Sequence, residues 1–170
     1  MNSWQVSVAA ESIVACMFAR CGYDVSVQYG ANQPEYDLIV AKGEKMLKVS
    51  VKGSQDGGWG LTQSHIHDAD YHRAADDWLL KHYKKTVLCF VQFWNVGLNE
   101  SPRIYIATPK EVADRLKETR NGKGDTILYE YHEWGKQALA YGTIEKIPEE
   151  WKFTADRVES LFELIKLVTL

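Results

Sequence analysis

The chain has little cysteine, no long apolar run and no excess of positive charge. Its three cysteines, Cys16, Cys21 and Cys89, are an odd number without a CxxC spacing, which argues against a disulfide framework. Cys16 and Cys89 stand in apolar runs, and all three are read as reduced thiols that mostly serve packing. No apolar stretch approaches the roughly 18 residues needed to span a membrane. The opening MNSWQVSVAAES has neither the basic start nor the apolar core of a signal peptide, so a cytoplasmic location is expected. Lys and Arg number 20 against 23 Asp and Glu, a formal net charge of −3. There is thus no global pull toward phosphates, although a local basic patch stays compatible with gripping a short site. Phosphate-loop, dinucleotide and zinc-protease motifs are absent, and no serine or cysteine sits in a recognisable nucleophile elbow.

What is present suits one domain over residues 1–170. Hydrophobic residues make up 45% and charged residues 25% of 170, enough to bury a core without metal or disulfide staples. In the first 21 residues, Val6, Ala10, Ile13, Val14, Met17, Phe18 and Cys21 fall on one helical arc, with Glu11 at its margin. Gly22 stops that helix. Residues 23–29 alternate like a strand, and 36–41 with 46–52 read as a β-hairpin. Residues 53–60 (GSQDGGWG) read as a flexible loop. Residues 68–83 read as a helix, and the unbroken apolar run 86–94 as a central strand covered on both faces. A strand at 103–107 precedes Thr108-Pro109-Lys110-Glu111, which opens a helix with a cap, a first-turn proline and a capping-box glutamate. A last strand at 126–131 and an amphipathic helix at 154–167 complete the pattern. The expected class is α/β, a central mixed β-sheet flanked by helices.

Two segments carry polar groups that an ordinary core strand would not choose: EYDLIV at 35–40 and VSVKGS at 49–54. Asp37 stands at a strand start, and Ser50 and Lys52, two apart, share one face of the next strand. Magnesium takes hard oxygen ligands, usually one or two carboxylates with waters and a substrate phosphate. Asp37 and Glu11 can supply these, with Ser50 alongside, while Lys52 orients or deprotonates an attacking water. The plain alternative is that Asp37 and Lys52 are solvated strand-end residues.

Glu11, Gly22-Tyr23, Pro34 with Tyr36-Asp37-Leu38, and Val51-Lys52-Gly53-Ser54 together resemble the PD-(D/E)xK nuclease superfamily. They are most similar to its small members that include group I intron-associated homing endonucleases. The resemblance covers about residues 5–55. It implies a restriction-endonuclease-like core, a Mg2+ (or Mn2+) cofactor and DNA as the partner. Asp37 would be the main metal ligand, Glu11 an auxiliary acid and Lys52 the catalytic lysine. Ser50 departs from the pattern, since the family has Glu, Asp or sometimes Gln there. Its hydroxyl is a poor ligand, though the Ser50 or Val51 carbonyl, or an acid relocated to Glu35 or Asp56, would compensate. The alternative is a catalytically inactive relative that binds nucleic acid or protein. A homodimer would suit a double-strand cutter, but no heptad or interface pattern demands one.

Outside that region, HIHDADYH places His65, His67 and His72 near Asp68 and Asp70. It reads as a weak transition-metal candidate, as a loop entering a capped helix, or as Gln63, His65 and His67 facing a nucleic-acid cleft. Of the tryptophans, Trp78 and Trp94 are expected in the core. Trp59, flanked by glycines, is expected to make a mobile stacking contact. The basic run of Lys81, Lys84 and Lys85 is read as answering a helix dipole.

Overall fold

The computed structural model describes residues 1–28, 36–82, 86–136 and 140–167, with side chains described to 164. Helix α1 (Ser3–Arg20) leads to strands β1 (Asp24–Val27), β2 (Leu38–Lys42), β3 (Lys45–Ser54) and β4 (Gly58–Gly60). A single turn at Gln63–His65 precedes α2 (Tyr71–Leu80), β5 (Thr86–Gln92), β6 (Arg103–Ala107) and α3 (Pro109–Gly122). Short strands β7 (Ile127–Tyr129), β8 (Tyr131–Glu133) and β9 (Ile144–Lys146) come before α4 (Ala155–Leu167). The main sheet is mixed, in the order β1-β2-β3-β5-β6, and helices flank it. Among the described residues, no helix is long and apolar enough to cross a membrane.

Among the described strands only β3 and β5 run parallel, and parallel neighbours need a crossover, here made by β4 and α2. All seven residues of β5 are buried, as its unbroken apolar sequence predicts for a strand covered on both sides. Val87, Cys89 and Val91 join the core under α1 and α4. Leu88 and Phe90 alternate into a second core with α2 and α3. Cys89 is fully enclosed, and burial pushes its thiol well above the usual range, so it stays protonated.

Helix α1 begins in a capping box between Asn2 and Gln5 and buries Val6, Ala10, Val14 and Phe18 at four-residue spacing. It lies directly on β3. A Cβ at Gly53 would sit 2.6 Å from Val6 Cγ1, 3.0 Å from the Val6 carbonyl oxygen and 3.1 Å from Ala10 Cβ. Glycine is what lets helix and strand meet this closely, and Glu11 is the next residue along. The Thr108–Glu111 capping box at α3 forms as its sequence predicts.

Several expectations need correction. Residues 53–60 are not a flexible loop. Strand β3 runs to Ser54, and β4 pairs with β7 through Trp59↔Leu128. Trp59 is 3% exposed, packed against Phe90 and Tyr105, so it presents no mobile stacking face. Trp94 is 46% exposed rather than core, because β5 ends at Gln92 and the chain turns through a left-handed Asn95. Cys16 is exposed, on the outer side of α1. The segment 126–131 divides between β7 and β8, each in a two-stranded sheet apart from the main one. Asp68 and Ala69 have left-handed backbones, so α2 starts only after Asp70, whose carboxylate caps it. Tyr29, Pro34 and Glu35, with Lys84 and Lys85, lie outside the described residues.

Candidate active site

The β2–β3 hairpin is paired from Lys42↔Lys45 to Leu38↔Val49. The Asp37 N–H still donates to the Val49 carbonyl at 2.8 Å, and there the ladder ends. Strand β3 continues on its other side, paired with β5 as far as Ser54↔Gln92. The strands therefore fork at Asp37. Beyond the fork, the Val51 N–H has no partner from β2, and Asp37 Oδ2 accepts it at 2.6 Å. This bond fixes the carboxylate at the mouth of the fork with its second oxygen uncommitted to Val51.

Glu11 reaches the same place from α1. Its carboxyl pKa is raised above the ordinary 4.5. Burial is the main cause, the Asp37 carboxylate adds to it, and the Lys52 ammonium opposes it. Two acids and one lysine, from three elements, thus lie within electrostatic reach of one another. Lys52 is exposed and lines a groove of about 310 Å³ with Ser3, Ser7, Ser54, Asp56 and Trp59. Ser50 is 3% exposed and pairs with Leu88, so its side of β3 faces the second core.

Lys52 and Ser50 share a face, whereas Val49, Val51 and Gly53 turn toward α1. Two of the proposed metal donors, Glu11 and Asp37, are brought together. Among the described residues, no group of three or more His, Cys, Asp or Glu side chains is arranged to hold a metal. Asp56 is in no such group either; it lines the Lys52 groove, where its Oδ1 accepts the Ser54 hydroxyl at 2.8 Å. Nor do His65, His67 and His72 form one with Asp68 and Asp70. His72 Nε2 is bonded to the Gly122 carbonyl at 2.8 Å. His65 and His67 line neither this groove nor the adjoining one, while Gln63 lines the latter.

Sequence reasoning missed Gln92. It is fully buried at the end of β5, where Nε2 donates to Ser54 Oγ at 3.2 Å and Oε1 accepts the Trp94 N–H at 2.9 Å. With the Ser54–Asp56 bond, it ties the far end of β3 to β5 beside Lys52. The available signal was a lone amide closing an otherwise apolar run, since such a group is buried only when its hydrogen bonds are met.

The folded state keeps the Glu11 proton where the unfolded chain has already lost it. The associated stability is therefore greatest below the ordinary value of 4.5 and is lost as pH rises through the folded value. Glu11→Gln should flatten that dependence and raise Tm at pH 7 in EDTA, by up to about 3 °C, while magnesium affinity falls. Thermal melts from pH 4 to 7 and calorimetry check both. A variant with lower Tm and unchanged affinity would place Glu11 outside the site.

The sequence matches no family model and no curated protein. Among solved structures, the chain is similar to a bacterial homing endonuclease, I-Ssp6803I, with 10% identity over 99% of this chain and 97% of that one, at a TM-score of 0.48.

Proposed function

We propose that the chain is a metal-dependent DNA endonuclease of the PD-(D/E)xK kind, with Glu11, Asp37 and Lys52 as its catalytic residues. One arrangement carries this reading: the Asp37 carboxylate is fixed on the Val51 N–H at the fork where β2 leaves β3, with Glu11 of α1 and Lys52 of β3 within electrostatic reach. The donor set fits magnesium, which needs only one or two carboxylates from the protein. A bound magnesium ion would polarise the phosphodiester and stabilise the charge that develops on it.

The chain's own groups supply the rest. Asp37, steadied by the Val51 N–H, and Glu11 hold the metal-binding oxygens at the fork. Lys52 orients the attacking water and its ammonium faces the developing negative charge. Close packing of α1 on Gly53 keeps Glu11 at its station. A second reading, a nuclease fold that only binds, is favoured by Ser50 and by the lack of a third carboxylate among the described residues.

Plasmid nicking in magnesium separates the two. Lys52→Met should lower the nicking rate about 10²-fold or more and leave magnesium binding in place, because lysine is not a ligand. Wild-type protein that is folded and binds no magnesium would sink the nuclease reading, as would a Lys52→Met variant that nicks at the wild-type rate.

A further inference from the structure

A second groove, of about 470 Å³, adjoins the Lys52 groove and shares Asp56, Gly58 and Gly60 with it. Its volume lies in the range of small-ligand sites. Its wall is aromatic and largely unexplained by folding. Trp94 is 46% exposed and Tyr131 48% exposed, although large aromatic residues normally bury most of their surface. Neither is loosely attached. The Trp94 N–H is held by Gln92 and its carbonyl by Arg103 Nη2 at 3.0 Å, and Lys146 Nζ lies 5.7 Å from the Tyr131 ring centroid.

Beside them Tyr129 stacks on His132 at 4.3 Å and 20°, and Trp134 meets both rings edge-on. Glycines border the groove. A Cβ at Gly60 would fall 2.2 Å from Gln63 Nε2, and one at Gly57, where φ is +92°, would fall 3.5 Å from Trp94 Cε3. The Gln63 amide thus borders the groove and can both donate and accept.

We propose that this groove receives an unpaired nucleobase of a DNA strand whose backbone passes Lys52. This deepens the nuclease reading and rests on it. Flat aromatic walls with an amide at the edge suit a base, because every base has a stacking face and polar edges. Lys146 adds a cation beside Tyr131 for a flanking phosphate. The chain's net charge of −3 leaves little general attraction for phosphates. Stacking is then the main source of affinity, and it favours unpaired DNA over a matched duplex.

The test is fluorescence anisotropy with a labelled 12-nucleotide oligothymidylate and a matched 12-base-pair duplex, in calcium to avoid cleavage. The single strand should bind more tightly than the duplex, with a shallow salt dependence. Trp94→Leu and Tyr131→Ala should each weaken it about tenfold or more. Circular dichroism confirms that the two surface variants fold. Oligothymidylate that does not bind, or binds both variants like wild type, overturns the proposal. If wild type still nicks plasmid in that case, the groove assignment has failed and the nuclease reading stands. If binding needs both aromatics and no nicking occurs, the groove assignment stands and the nuclease reading has failed.

Discussion

Asp37→Asn should leave a folded protein that nicks DNA at least about 10³-fold more slowly and binds magnesium too weakly to detect by calorimetry. Asp37 has two separable tasks. One oxygen accepts the Val51 N–H at 2.6 Å, and an Asn amide oxygen can do the same. The other task needs a full negative charge, which Asn lacks. Charge stabilisation by a bound metal is worth several kcal/mol. At about 1.36 kcal/mol per tenfold in rate, three powers of ten correspond to about 4 kcal/mol. Asp37→Ala would confuse the result, because a buried N–H left without an acceptor costs about 1–3 kcal/mol in stability. The informative comparison is Asn against Ala. Both should lose cleavage, and Ala alone should lose Tm. An Asn variant that nicks within tenfold of wild type would remove Asp37 from the chemistry.

Features dictated by local pattern were legible in the sequence. The apolar run Val87 to Val91 of β5, the four-residue spacing of Val6, Ala10, Val14 and Phe18, and the Thr108–Glu111 box all take the form their chemistry demands. The β2–β3 hairpin is also local and was readable. Illegibility began where glycine served contacts made far along the chain. GSQDGGWG has the composition of a mobile loop. Yet Gly53 is there for the approach of α1, and Trp59 sits under a strand pair with β7, some seventy residues later.

Non-local pairing of that kind leaves no local trace. The same holds for Trp94, whose apolar neighbours argued for burial although the strand stops two residues earlier. Of the candidate site, the spacing of Ser50 and Lys52 gave their shared face on β3. That Glu11 would feel both Asp37 and Lys52 depended on the packing of a helix on a glycine, which spacing alone does not encode.

Ser50→Asp, which puts a third carboxylate beside the fork, should produce a protein whose stability depends on magnesium. Ser50 is 3% exposed, beside Leu88 on one side, and Asp37 stands one position beyond the Leu38↔Val49 pair on the other. A carboxylate there loses water and meets a like charge, and both effects raise its pKa. In EDTA at pH 7 the variant should be less stable than wild type by about 3 kcal/mol, since an unpaired buried charge costs several kcal/mol. The sign follows from protonation. The folded variant holds a proton that the unfolded chain has released, so its deficit shrinks as pH falls and grows as pH rises through the raised value. A divalent ion at the fork would neutralise the three acids together, and magnesium at a hundred times its Kd would return about 2.7 kcal/mol. Denaturant melts of both proteins, with EDTA and with magnesium, give the four numbers needed. If the variant is destabilised and magnesium restores it, a carboxylate at position 50 reaches an ion at the fork, which supports Glu11 and Asp37 as its other ligands. If it is destabilised and magnesium does nothing, the carboxylate at position 50 meets no bound ion, and β3 contributes no ligand to the proposed metal site.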